Sequence, residues 1–326
     1  MDLSAALNNN PDYVKRVNES VAILHNHFIE IKKHLDQPLT DDNFNDAYQR
    51  FIKIFDIIPI LKVKLPMPQI IRGRPHQYGT PLCNERWQVS YNWRFQNKIK
   101  LGRFNQQAEP LFYGSLPTES KDMDAVLSCA LECCKELSIE YNTPDLQDIT
   151  VSGWMIDQPF NVVILCFDDL HLKDNPDLKS AVDAYIKTIY DHFSKEAASF
   201  IEQFFRYFSE LSRTIMDNNA CYQILVPFFS AIRYYADHFS YLTETGENEP
   251  VYGMIYPSAM SMAKGLNIVV TREAVKQFLR LDKIVMYRYF LVKPERTTWV
   301  ADKCSDIVKV KGRKFTITNY ILPARH

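Results

Sequence analysis

Glycine is scarce in this chain and concentrated in two short segments. The sequence has nine glycines in 326 residues, whereas proteins on average use about 7% glycine. Four of the nine lie in segments 102–115 and 253–267, beside Arg, Tyr, Ser and Asn. Because glycine serves where a backbone turns sharply or a ligand approaches closely, this placement indicates either a binding site or ordinary turns between strands.

The two segments have a definite internal order. The first reads Gly102-Arg103-Phe104-Asn105, followed by Leu111-Phe112-Tyr113-Gly114-Ser115. The second reads Gly253-Met254-Ile255-Tyr256-Pro257-Ser258, followed by Gly265-Leu266-Asn267. A predicted helix between them carries Glu132, and an arginine-containing strand, Ile71-Arg72-Gly73-Arg74, precedes both.

In this order the segments resemble the RES-domain family, named for its Arg, Glu and Ser, over about residues 60 to 290. The resemblance implies a fold like that of ADP-ribosyltransferases and an NAD-degrading activity, as in the toxins of Xre–RES toxin–antitoxin pairs. NAD would be the substrate, and its nicotinamide–ribose bond would be cleaved by glycohydrolysis or phosphorolysis. Two alternatives stay open: an ADP-ribosyltransferase that modifies a protein or small molecule, and a catalytically inactive RES fold used for binding.

The resemblance also assigns site residues. It implies Arg103, Glu132 and Ser258 as catalytic residues, and Arg72, Arg103, Tyr113, Ser258 and Asn267 as NAD-binding residues. The chemistry suits these types, because arginine forms bidentate hydrogen bonds with phosphate, a carboxylate stabilises an oxocarbenium-like ribose, and a tyrosine ring stacks on nicotinamide. Ser258 is not expected to be a nucleophile, since no G-x-S-x-G elbow surrounds it.

Each assignment has a competitor. Glu136 lies one helical turn after Glu132, and the interval from Tyr113 to Glu132 is longer than is common in the family. Arg74 lies close behind Arg72 as a phosphate ligand. Arg72, Arg74 and the two glutamates could also be surface charges. Tyr113 could be a core residue, and Ser258 and Asn267 could be ordinary turn residues.

Composition limits the partners. The chain has 38 basic and 39 acidic residues and a net charge of −1. This balance argues against a dedicated nucleic-acid binder but leaves open a local basic patch, such as Lys309 to Lys314.

Seven cysteines, an odd number, lie mostly in apolar stretches and form no zinc set, so we predict reduced thiols and no metal. With no secretory signal and no membrane-spanning apolar run, we predict a cytoplasmic protein without a membrane partner.

Hydrophobic periodicity predicts the organisation. Residues 12–35 have the pattern of an amphipathic helix, and Thr40 can cap a second helix over 41–57. We therefore predict an N-terminal helical accessory element over residues 1–59 and a RES-like catalytic domain over 60–326. A helical segment over about 177–242 interrupts predicted strands, so helices and strands are segregated and the class is α+β.

The resemblance also bears on regulation. RES proteins are often paired with a helix-turn-helix antitoxin that covers the NAD cleft, and we find no such module in this sequence. We therefore predict inhibition by a separate antitoxin protein. The sequence leaves the oligomeric state open, a homo-oligomer included.

Overall fold

A computed structural model describes residues 3–38, 40–76, 80–119, 124–134, 146–214, 220–238, 250–260, 264–292 and 298–321. The helices of this part of the chain are α1 (Leu3–Asn8), α2 (Pro11–Glu19), α3 (Val21–Lys33), α4 (Asp41–Phe55), α5 (Ala125–Cys133), α6 (Asp169–Leu172), α7 (Pro176–His192), α8 (Lys195–Arg213), α9 (Tyr222–His238) and α10 (Arg272–Gln277). The strands are β1 (Lys62–Lys64), β2 (Gln69–Pro75), β3 (Phe112–Ser115), β4 (Leu146–Ile156), β5 (Asn161–Ile164), β6 (Gly253–Pro257), β7 (Leu266–Val270), β8 (Leu279–Val292), β9 (Thr298–Lys303) and β10 (Val308–Lys309). Short 3-10 helices cover His34–Asp36, Arg86–Val89 and Trp93–Lys98.

The chain forms two compact units. The first comprises residues 1–65, 99–109 and 160–257, and the second comprises residues 66–98, 110–159 and 258–326. The domain boundary that we predict between residues 59 and 60 stays a prediction.

The first unit has a phenylalanine-rich helical core. Phe204 in α8 is fully buried, and its ring centroid lies 6.5 Å from that of Phe51, 6.0 Å from that of Phe55 and 6.3 Å from that of Phe228. The periodicity of the helical segment predicts that the aromatic stripe through Phe200, Phe204 and Phe208 is core, and all three side chains are buried. Strand β5 pairs antiparallel with β1 and parallel with β6, and its four residues are all buried.

The helices of the first unit differ from the predicted ones in three respects. The predicted helix over 12–35 is divided at Ser20, whose hydroxyl donates to the carbonyl of Arg16 at 2.7 Å and so competes with the helical hydrogen bonds. Helix α4 begins after Thr40 as predicted, with the Thr40 hydroxyl accepting from the Asn43 N–H at 3.2 Å, but it ends at Phe55. The sequence also predicts that Pro227 interrupts a helical stretch over 221–239, but Pro227 lies inside α9.

The second unit contains an antiparallel sheet with the order β7-β3-β2-β4-β8, and β9 and β10 also pair with β8. Helix α5 packs on one face of this sheet over Ile71 and Ile149. The close approach needs Gly73 in β2, because a Cβ atom there would lie 2.7 Å from the sulfurs of both Cys129 and Cys133. The register pairs Ile71 with Ser115 and Ser115 with Asn267, which places these three side chains on one face.

Two expectations for the second unit are wrong. The sequence pattern predicts a short helix over 273–281, but α10 ends at Gln277, because Leu279 already begins β8 and pairs with Ile156. The sequence pattern also predicts a strand over 308–322, but the strand is regular only at Val308–Lys309, and Leu322 lies outside the described residues. The chain nevertheless combines helices with a mostly antiparallel arrangement of strands, so the predicted α+β class is confirmed. In the described ranges, no helix is long and apolar enough to cross a bilayer.

Candidate active site

Glu132 is the centre of a hydrogen-bonded cluster in the second unit. It lies in the last turn of α5, a helix that begins after Asp124, whose carboxylate accepts from the Leu127 N–H at 2.7 Å. Oε1 of Glu132 accepts from the Ser258 hydroxyl at 2.6 Å and from Nδ2 of Asn267 at 2.8 Å. The structure therefore brings together three of the residues predicted from sequence.

The two oxygens of the Glu132 carboxylate have different surroundings. Oε1 has both donors, and Ser258 and Asn267 are buried, with 2% and 4% of their surface exposed. Oε2 has no hydrogen-bond partner among the described residues, and the Glu132 side chain is half-buried. The cluster thus fixes the orientation of the carboxylate through one oxygen and leaves the other oxygen available to a ligand.

Ser115 orients the asparagine of this cluster. Its hydroxyl donates to Oδ1 of Asn267 at 3.0 Å, from the position directly opposite in the β3–β7 pair. With Oδ1 occupied as an acceptor, the amide presents Nδ2 to Glu132, where only a donor can satisfy a carboxylate oxygen. Ser115 lies in the first sequence motif but has no predicted role; the signal that could have identified it is its period-two spacing from Tyr113 on the same strand.

Ser258 has a second contact that holds its loop. The Ser258 oxygen accepts from the Met260 N–H at 3.3 Å, and the Ser258 N–H donates to the Gly265 carbonyl at 3.0 Å. Ser258 is therefore both a turn serine and a partner of Glu132. Asn267, in contrast, lies within β7, so its interpretation as a turn residue is wrong.

Arg72 places a half-buried positive charge in the same unit. Its Nη1 donates to the Tyr113 carbonyl at 2.5 Å, and its guanidinium carbon lies 5.0 Å from the centre of the Phe112 ring. Its Nε is buried without a hydrogen-bond partner, and no carboxylate pairs with it among the described residues. Burial lowers the pKa of Arg72, while the nearby Cys133 and Cys129 oppose that shift. Arg72 is therefore not a surface charge, although it is still protonated at neutral pH.

Tyr113 and Arg74 occupy different environments. Tyr113 is half-buried, and the alternation along β3 places its ring on the same face as Ser115. Arg74 is exposed, and its guanidinium donates to the carbonyl of Gln88. Arg74 thus has the surroundings of a surface arginine.

Arg103 belongs to the first unit. Its guanidinium donates to the carbonyl of Ser212 and lies 5.8 Å from the centre of the Tyr222 ring. The block around it is a compact turn, in which the Gly102 N–H donates to the Asn105 carbonyl at 3.1 Å. A Cβ atom at Gly102 would lie 2.2 Å from the side-chain oxygen of Asn105, so this glycine is required by packing.

Three remaining predictions concern the competing glutamate, the cysteines and a metal site. Glu136, the competitor of Glu132, lies outside the described residues. The pKa of Cys129 is raised well above its usual value, first by a hydrogen bond with Cys133 and then by burial, so its thiol stays protonated. No group of three or more His, Cys, Asp or Glu side chains suited to a metal ion occurs within the ranges given above.

Comparisons with known proteins add no relative. Neither a comparison with models of protein families nor a comparison with curated proteins gives a match. The resemblance to the RES-domain family therefore rests on the motifs themselves, and membership of that family stays a prediction.

Proposed function

We propose that this protein is an NAD-degrading enzyme with an ADP-ribosyltransferase-like fold, related to the RES-domain toxins, and that Glu132 is its catalytic carboxylate. The observation that carries the proposal is the contact of Oε1 of Glu132 with Ser258 and Asn267. A carboxylate that is oriented through one oxygen, with its other oxygen available, is suited to stabilising a positive charge that develops on a substrate.

The proposed reaction is cleavage of the nicotinamide–ribose bond. Nicotinamide leaves with both electrons of the C–N bond, and the ribose carbon becomes positively charged, as in glycoside hydrolysis. Oε2 of Glu132 stabilises this charge, while Ser258 and Asn267 keep the carboxylate from rotating away. Water or phosphate then adds to the ribose carbon, and a water nucleophile loses a proton to solvent. A side chain of a protein acceptor would take the same place in an ADP-ribosyltransferase.

Two further groups are proposed to bind NAD. Arg72 is a half-buried cation with a buried Nε for which the described residues supply no anionic partner, and a phosphate group would compensate its charge. Tyr113 shares a face of β3 with Ser115 and offers an aromatic ring to the nicotinamide. Arg103 belongs to the first unit, and its role in NAD consumption stays a prediction from the sequence. We also propose that the protein acts in the cytoplasm as a toxin or effector that a separate protein inhibits.

The test is an analysis of products. Purified protein is incubated with NAD, with and without phosphate, and the products are identified by mass spectrometry. Free nicotinamide together with ADP-ribose indicates glycohydrolysis, and free nicotinamide together with ADP-ribose 1-phosphate indicates phosphorolysis. Glu132→Gln should abolish nicotinamide release, whereas Glu273→Gln, a matched change at an exposed glutamate of α10, should not.

The same experiment identifies the alternatives. Release of nicotinamide only when a protein acceptor is added, with ADP-ribose attached to that acceptor, indicates a transferase. Binding of NAD by calorimetry without any turnover would contradict the enzymatic proposal and favour an inactive binding fold. Equal activity of the Glu132→Gln and Glu273→Gln variants would remove Glu132 from the reaction.

A further inference from the structure

The second unit has exposed aromatic side chains, and Arg and Lys side chains lie over the faces of aromatic rings in the same segment. Trp93 and Phe95 are 44% and 43% exposed. The guanidinium carbon of Arg94 lies 4.6 Å from the ring centre of Trp87 and 5.3 Å from that of Trp93, and Nζ of Lys98 lies 5.3 Å from the ring centre of Phe95. This short segment therefore presents large apolar rings and positive charges together.

A second segment adds cations that lack acidic partners. Lys309 in β10 lies directly opposite Lys283 in β8, and both are exposed. Like charges in directly opposite positions of a sheet repel each other and destabilise it. Within the described residues, neither lysine forms an ion pair that would offset this repulsion. Lys311, Arg313 and Lys314 follow, all exposed and all without an ion pair in the same part of the chain.

Backbone hydrogen bonds join the two segments into one surface. The Arg86 N–H donates to the Arg313 carbonyl at 2.8 Å, and Glu85 and Lys314 form an antiparallel bridge. Glu85 is the acidic residue at this junction, and its carboxylate already accepts from Nε1 of Trp87 at 2.6 Å and lies 3.7 Å from Arg94. We call this surface, formed by residues 87–98 and 309–314 with Lys283, the aromatic–basic surface.

From this surface we infer that the protein binds single-stranded nucleic acid there, through base stacking on Trp93 and Phe95 and phosphate contacts with the adjoining lysines and arginines. Such binding combines a cationic track for the backbone with aromatic platforms for the bases. A lipid bilayer suits the surface less well, because inserting these rings would carry Arg94 and Lys98 toward the hydrocarbon, which is costly for a charge. The inference does not depend on the proposed NAD chemistry, and it agrees with a net charge near zero because it concerns a local patch.

The test is fluorescence anisotropy with labelled 20-nucleotide probes of single-stranded RNA and single-stranded DNA, with a duplex of the same length and vesicles containing phosphatidylserine as further arms. We expect binding of single strands at low salt, weaker binding of the duplex, and a linear fall of the logarithm of the affinity with the logarithm of the salt concentration. The RNA and DNA arms distinguish which nucleic acid is bound more tightly.

Two variants separate the contributions. Trp93→Ala combined with Phe95→Ala should weaken single-strand binding about tenfold or more with little change in the salt dependence. The triple variant Lys309→Gln, Lys311→Gln and Arg313→Gln should lower the slope of that salt dependence by up to about 2. All five side chains are exposed, so thermal melting should show that both variants fold.

Matched controls lie in the first unit. The triple variant Lys173→Gln, Lys179→Gln and Lys187→Gln removes the same charge, and Tyr190→Ala removes an aromatic residue that is 42% exposed. Neither control should change binding. The inference is overturned if the wild-type protein binds no single strand at low salt, if the control triple loses affinity as much as the test triple, or if Trp93 and Phe95 are needed for vesicles but not for oligonucleotides.

Discussion

The Ser258 hydroxyl donates a 2.6 Å hydrogen bond to Oε1 of Glu132, although the two residues are 126 positions apart in the sequence. This bond uses the serine proton to orient a carboxylate. Ser258 therefore acts as a positioning residue for Glu132 in the proposed reaction.

The charge of Glu132 is expected to matter more for turnover than for binding. Glu132→Gln keeps an oxygen that can accept from Ser258 and Asn267 but loses the negative charge. That charge interacts with the ribose mainly when the ribose becomes cationic. We therefore expect kcat to fall by roughly 100-fold or more, while the Kd for NAD changes little. Single-turnover kinetics and calorimetry measure the two effects. If Glu132→Gln is active and Glu136→Gln is inactive, the catalytic glutamate is Glu136 instead.

Ser115 is expected to act through Asn267. Ser115→Ala removes the hydroxyl that donates to Oδ1 of Asn267. Without this hydrogen bond the amide can rotate and turn its oxygen, in place of Nδ2, toward Glu132. We expect kcat to fall several-fold with KM unchanged, and stability to fall by about 1 kcal/mol for the lost hydrogen bond. Ser115→Thr, which keeps the hydroxyl, should restore turnover. A loss of stability without any change in kcat would limit Ser115 to a structural role.

Arg103 is predicted to be needed for NAD consumption, and its contacts also stabilise the folded protein. Arg103→Ala removes the hydrogen bond to the Ser212 carbonyl and the contact with the Tyr222 ring. We expect NAD consumption to be abolished and the free energy of unfolding to fall by about 1.5–3 kcal/mol, as for a hydrogen bond from a charged donor. Chemical denaturation and the NAD assay measure the two effects separately. Full turnover by the folded variant would remove Arg103 from the site.

Phe204 is expected to be a residue of the core alone. Phe204→Ala leaves a cavity among Phe51, Phe55 and Phe228 and should destabilise the protein by about 3–5 kcal/mol. Tyr190→Ala, at a position that is 42% exposed, should cost far less. Denaturant titration measures both variants, and the folded fraction of Phe204→Ala should keep its activity. A selective loss of NAD turnover with unchanged stability would make this helical segment functional.

Tyr320 is expected to contribute to the loss of stability at high pH. Burial, reinforced by the hydrogen bond to Asp148, raises the pKa of Tyr320 from 10.0 to about 12. Its contribution is therefore complete below pH 10, where the unfolded tyrosine is also protonated, and it is lost as the pH rises through about 12. Tyr320→Phe should be less stable than wild type at pH 8, and the difference should narrow between pH 10 and 12. A difference that stays constant over this range would show that Tyr320 does not titrate in this way.

The sequence already indicates the elements whose residues interact locally. The Thr40 cap and the aromatic stripe through Phe204 follow from hydrogen bonding and periodicity within a few residues. The apolar run over 161–167 likewise predicts a buried strand, of which Asn161–Ile164 forms β5. Boundaries were less predictable where tertiary pairing overrides local preference. Leu279 extends β8 into a predicted helix because it pairs with Ile156, a partner that is distant in the sequence.

Only part of the candidate site could likewise be predicted from the sequence. The motifs single out Glu132, Ser258 and Asn267 as residue types suited to the proposed chemistry, but no periodicity could show that they touch. Their contact depends on the register of β3 with β7 and on the approach of α5 over Gly73. A slip of one residue in that register would turn Ser115 to the other face of the sheet and away from Asn267. The sequence by itself therefore determined which side chains are available and which elements carry them, whereas only the tertiary structure decided that Ser115, Asn267, Ser258 and Glu132 form one hydrogen-bonded chain, because strand register and helix docking arise from contacts between distant parts of the chain.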